Sequence, residues 1–263
     1  MTYTPDFRSS WAKIEWAKPY RDALDREPID FFSVEGNEIG LRAEYDPKSG
    51  YHLFRINTMP DRHIMRWAMI LGDFVHNLRG ALDHMVWQLA LHECNGDTPK
   101  KPTRVQFPIT DTPELFRKSN NLNEIAPAHR AIIERHQPYH GWYGGRLHPF
   151  VQLRELSNVD KHRAISPVLC ANGDMLIYSE AFEGALLNVE FTAGIGTPLE
   201  SGAILARGTT TPPIHKHDVE VAGEATPFIT LPDTPGSWVS LVPTIDEIAA
   251  SVANVIREFE PLP

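Results

Sequence analysis

The run Gly72-Asp73-Phe74-Val75-His76-Asn77-Leu78-Arg79-Gly80-Ala81-Leu82-Asp83-His84 sets titratable side chains and an amide among apolar residues. At 100° per residue, Asp73, His76, Asn77, Gly80, Asp83, His84 and Trp87 share one helical face, with Arg79 at its margin. Phe74, Leu78, Leu82, Met85 and Leu89 point away, and Leu71 and Trp67 extend that apolar stripe. Burying so polar a face costs free energy unless every group finds a partner, which marks it as a site. A histidine with a reference pKa of about 6.5 exchanges protons near neutrality, and a carboxylate such as Asp83 can fix its tautomer. Arg79 could stabilise negative charge on a phosphate or carbonyl oxygen, a combination that suits phosphodiester cleavage. The same residues could instead form a buried polar network that sets helix register without chemistry.

A second segment, Leu153 to Arg163, places Arg154, Glu155, Asn158, Lys161 and His162 on one helical face. If the two helices are neighbours, one crevice combines both faces and holds a ligand. His76, His84 and a carboxylate have the donor types of a zinc or iron centre. Their eight-residue separation spans about 12 Å along a helix, so no metal and no cofactor is expected. His129, His136, His140 and His148 surround a Tyr139/Trp142/Tyr143 loop that could line a pocket or stack a base, or could be ordinary surface. His215 and His217 alternate as on a strand face but lack a third ligand. GxGxxG, GK[ST]-type, GxSxG and HExxH motifs are absent.

The elements that must position these groups follow from periodicity. Residues 61–93 contain no proline and predict one long central helix of roughly 50 Å, with Asn95-Gly96 at its end. Gly72 and Gly80 lower its propensity by about 1 kcal/mol each, which close packing against another helix would explain. A helix over 10–25 is disturbed by Pro19, and residues 39–45 and 51–56 form a hairpin around a five-residue loop at 46–50. After a Pro-rich crossover with Phe107-Pro108, helices are expected over 112–118, 127–136 and 148–162. Short β-prone pieces at 167–170, 174–178, 186–191, 203–206 and 219–221 imply an antiparallel sheet. A last helix over 244–259 carries Asp246-Glu247 in its first turn, where negative charge is favoured.

The whole is read as an α+β fold. One integrated domain spans 1–263, with its helical core mainly at 61–162, a β-rich addition at 166–233 and the C-terminal helix at 244–259. Twenty-five basic against 34 acidic residues give a net charge of −9. That balance excludes broad nonspecific coating of DNA but not a local basic pocket. Two cysteines are too few for a disulfide framework. No apolar run approaches membrane-spanning length and no signal-type N-terminus is seen, so no membrane partner and a cytoplasmic location are expected.

Arg79-Gly80-Ala81-Leu82-Asp83-His84 resembles the Arg-x4-His pattern of the HEPN group, helical proteins that include metal-independent RNases and nucleotide-binding relatives. The resemblance implies Arg79 against an RNA phosphate and His84 as proton carrier, commonly across a homodimer interface, with His76, Asn77 and Asp83 supporting the geometry. Arg135/His140 has the same spacing and Arg130/His136 a looser one, but Pro138 makes the first a poor helical pair. The helix is also similar to that of an uncharacterised bacterial, especially actinobacterial, group with a His-Asn-Leu-Arg-x-x-Leu-Asp-His run, which implies a scaffold rather than a reaction. The functional expectation is RNA cleavage. The alternatives are a non-catalytic module for a small molecule or protein, and a structural protein whose polar faces are sealed together.

Overall fold

Proline-free sequence and a continuous apolar stripe produce the longest element, a 32-residue helix α2 (Arg62–Glu93). Trp67, Leu71, Phe74, Leu78, Leu82, Met85 and Leu89 are all buried, as the stripe requires, and Val75, Ala81, Val86 and Ala90 widen the buried arc. The helix ends where expected: Asn95 adopts φ 53 and Gly96 φ 93, and the Gly96 N–H donates to Leu91 O at 2.8 Å. Such a left-handed stop satisfies carbonyls that the last turn would leave unpaired.

The computed structural model describes residues 3–37, 39–58, 62–141, 147–162, 165, 168–178, 182–192, 199–215, 219–232 and 238–260. The chain divides into two compact units, Met1–Leu24 with Ala68–Ile165 and Val242–Pro263, and Asp25–Trp67 with Ser166–Leu241. Their boundaries fall inside α1 (Arg8–Phe32) and α2.

In the first unit, α2 is joined by the start of α1, by α3 (Pro113–Lys118), α4 (Pro127–Arg135), α5 (Pro149–His162) and α6 (Leu241–Arg257). Helix α1 overruns the expected 10–25, passing through both Pro19 and Pro28. Each proline removes one backbone donor, but burial of Ile14, Ala17 and Leu24 holds the helix across the first of them. Ile245, Ile248, Val252, Val255 and Ile256 form the expected apolar side of α6. That helix starts at Leu241, so Asp246 and Glu247 lie beyond its first turn, contrary to the expected dipole arrangement. Thr112 caps α3 by accepting the Leu115 N–H at 3.2 Å.

The second unit holds a seven-stranded antiparallel sheet of β1 (Gly40–Asp46), β2 (Tyr51–Thr58), β3 (Val168–Tyr178), β4 (Leu186–Phe191), β5 (Ile204–Thr211), β6 (Val219–Pro232) and β7 (Trp238–Ser240). Its order is β3-β6-β1-β2-β5-β4, with β7 on β6, so the early hairpin forms the middle of the later sheet. Leu41, Ala43, His52, Phe54 and Ile56 alternate onto one buried face. Asp46 pairs with Tyr51, which shortens the expected hairpin loop to four residues. Gly50 takes φ 76 there, and Asp46 accepts from Lys48 N and Ser49 Oγ. The pieces expected at 167–170 and 174–178 are one strand, because residues between Ala171 and Met175 bulge instead of turning. Strand β7 was not anticipated.

Candidate functional site

Helices α2 and α5 bring their polar faces to one cleft of ≈ 520 Å³. His76, Arg79, Gly80 and Asp83 come from α2, and Arg154, Ser157, Asn158 and Lys161 from α5. The third wall is the extended crossover Gln106–Thr110, joined by Ser119 and Asn121. Close approach of the two helices is built into the sequence at Gly72, where a Cβ would fall onto the Asp160 carboxylate of α5. Gly80 differs: its Cβ would meet only the Lys13 side chain at ordinary contact, 3.5 Å and beyond.

The crossover belongs to no strand, so its peptide groups need other partners. Side chains supply them. Phe107 N–H donates to Asp83 Oδ1 at 2.9 Å, and Phe107 O accepts from Arg79 Nη2 at 2.6 Å. Arg79 Nη2 also lies 3.3 Å from Asp83 Oδ1. Gln137, wholly buried after α4, donates to Pro108 O at 2.9 Å and accepts from Thr110 N at 3.0 Å. Arg154 reaches Ile109 O at 3.4 Å and pairs with Asp111 at 2.9 Å. The Phe107 ring packs on Phe150 of α5, centroids 5.5 Å apart. A single peptide segment is thereby held by four side chains from different parts of the chain.

This arrangement divides the predicted residues into groups with different tasks. Arg79, Asp83 and Arg154 face the cleft but are engaged in holding its wall. Asn77 is buried outside the lining; its amide donates to Asp73 O at 2.8 Å and its oxygen accepts from Lys13 Nζ at 3.2 Å, tying α1 to α2. Asp73, His84, Glu155 and His162 are exposed and do not line the cleft, although Glu155 pairs with Arg154 at 3.0 Å. His76, Asn158 and Lys161 line it, and their side chains make no hydrogen bond or ion pair within the described residues. Gln106, Asn121, Ser119 and the 107–110 backbone are site components that periodicity could not find, because they lie on irregular chain. The Phe107-Pro108 pair was their one sequence signal.

Burial pushes the Asp83 carboxyl above its ordinary range, while Arg79, the Phe107 N–H, Lys161 and His84 pull less strongly the other way. Arg154 stays firmly charged: burial opposes its charge, but Asp111 and Glu155 outweigh burial. Arg79 is thus offset by Asp83 and Arg154 by two carboxylates, whereas the Lys161 ammonium has no ion pair among the described residues.

Elsewhere in this unit, His136 and Arg135 both contact Glu258, each at 2.7 Å, beside a second cavity of ≈ 270 Å³ that also takes in His140 and His148. Trp142 and Tyr143 of the expected aromatic loop lie outside the described residues, as does His217; His215 packs its ring on Tyr45 at 4.8 Å. Among the described residues no three His, Cys, Asp or Glu side chains converge as a metal site, and no helix is long and apolar enough to cross a membrane. No protein-family model, no curated protein and no solved structure matches the chain.

Proposed function

We propose that this protein is a binding module whose α2/α5 cleft takes a small anionic ligand. One observation carries the reading: in a chain of net charge −9, one cleft gathers His76, Arg79, Arg154 and Lys161 around the single carboxylate of Asp83. Against that global charge, a lining in which cations outnumber carboxylates is an attractor for anions, with Lys161 the cation that has no ion pair among the described residues. Two of the three permanent cations also fix the wall through carbonyl and carboxylate partners, so they contribute positive charge at fixed positions and need no ordering when a ligand arrives. Lys161 supplies a charge on a flexible stem and His76 a ring nitrogen for hydrogen bonding.

Isothermal titration with inorganic phosphate at low salt tests this. Binding should weaken about tenfold in Lys161→Gln, the scale of one charge-assisted hydrogen bond, and should fade as salt screens the site. Absence of phosphate binding, or indifference to Lys161→Gln, would contradict it.

RNA cleavage is the second reading, favoured by His76 and Arg79 sharing the cleft. His76 would then move the proton, since His84 is exposed and outside the lining. Incubation with mixed RNAs, with and without EDTA, should give metal-independent cleavage abolished by His76→Ala and retained by His84→Ala; loss in His84→Ala alone would instead restore the Arg79/His84 pair.

A further inference from the structure

Resting on the anion-site reading, we infer that the ligand is a hydroxylated carbon chain or ring bearing one phosphate or carboxylate, and not a nucleotide. An anion site needs cations and N–H groups only, and a carboxylate in its wall repels the ligand. Asp83 is such a carboxylate. Its Oδ1 receives both the Phe107 N–H and Arg79, while Oδ2 has no hydrogen-bond donor among the described residues. A carboxylate oxygen without a donor among the described residues, lining the same cleft as Lys161, is suited to accept a hydrogen bond from a hydroxyl of the molecule whose anionic group the lysine holds.

The neutral groups point the same way. The amides of Asn121 and Asn158 face the cleft without hydrogen bonds of their own within the described residues, and Gln106 has only a 3.5 Å contact to Thr103 O. Each amide offers a donor and an acceptor, the pair of functions that a hydroxyl group presents in return. A nucleobase asks for something else, a flat aromatic or guanidinium face to stack on. Among the described residues Phe107 is the one Phe, Tyr or Trp side chain of the lining, and it is fully buried against Phe150, which leaves the small His76 imidazole as the one aromatic ring open to the cleft. A volume of ≈ 520 Å³ lies within the range of small-molecule sites and admits a hexose-sized ligand.

Calorimetric titration of the full chain with glucose 6-phosphate, gluconate, inorganic phosphate and adenosine monophosphate decides this. At least one of the two hydroxylated anions should bind about tenfold or more tightly than phosphate or the nucleotide, and which one wins identifies the anionic group. Asn158→Ala, at an exposed position, should cut that preference by roughly tenfold, as loss of one or two hydrogen bonds does. Asp83→Asn, which keeps an oxygen for the Phe107 N–H, should cut it similarly. Phosphate binding as tightly as glucose 6-phosphate and gluconate would overturn hydroxyl recognition and leave the anion site standing. Nucleotide binding as tight or tighter would overturn it too, as would a preference untouched by both variants. Failure of all four probes to bind would remove the anion site itself.

Discussion

Arg79 anchors the crossover that forms one wall of the α2/α5 cleft. Its spacing to His84 suggests a catalytic pair, yet its guanidinium holds Phe107 O at 2.6 Å and neighbours Asp83. Arg79→Ala should therefore lower stability by about 1–3 kcal/mol, because a part-buried carboxylate and a buried carbonyl lose their partner. Urea denaturation checks this; an unchanged midpoint would mean that the clamp contributes nothing and that Arg79 serves ligands alone. His148 offers a second residue-scale prediction. Standing just before α5, it accepts the Phe150 N–H on Nδ1 at 3.1 Å, in the manner of an N-cap. Burial, reinforced by the charge of His136, pushes its pKa down to about 4. A depressed histidine favours the fold while neutral, so its contribution is complete above about pH 6.5 and is lost as pH falls through 4. His148→Asn keeps a capping oxygen and removes the titration, so its stability should fall less between those pH values than that of the native chain. Glu258 adds to the native acid loss in both: burial raises its pKa, but Arg135 and His136 hold it lower overall. Equal slopes for variant and native chain would sink the assignment to His148.

At the scale of elements, helices were legible where one period governed the pattern. The α2 stripe, the Asn95-Gly96 stop and the apolar side of α6 follow from residue spacing, and each is buried or closed as that spacing demands. Prolines misled: Pro19 and Pro28 lie inside α1. In β6 the strand was readable only over 219–221, whereas it extends to Pro232, with Pro227 opposite Ala171 beside the bulge, a place where a strand tolerates proline. The order of the sheet is set by pairings distant in sequence, which no local pattern encodes. The two glycines of α2, alike in sequence, should behave differently. Gly80→Ala gains helix propensity in ordinary packing space and should stabilise by up to about 1 kcal/mol. Gly72→Ala must turn the Asp160 side chain out of the way and should forfeit that gain or reverse it. Equal effects in thermal unfolding would show that α5 does not approach α2 as described.

For the whole molecule, charge is the property that limits partners. At −9 overall, with cations outnumbering carboxylates in the α2/α5 lining, the chain should hold small anions and repel long ones, since net negative charge opposes a polyanion more than a monoanion. A 20-nucleotide single-stranded RNA should accordingly bind no more tightly per molecule than a phosphate monoester at about 0.15 M salt. Tight, steeply salt-dependent RNA binding would turn the account towards a nucleic-acid surface. Both polar faces that build the cleft and the Pro-rich crossover are legible in the sequence, but not that the crossover lies against those faces, so anchoring groups could not be told from those left open. Backbone nuclear magnetic resonance during titration with inorganic phosphate shows whether the α2/α5 cleft is where an anion binds. Saturable shifts are expected, confined to amides of 106, 107, 109, 110, 119–121 and 157–161 and around His76. Shifts centred instead on the histidine-rich cavity near 135–141, or none at all, would contradict anion binding in the cleft.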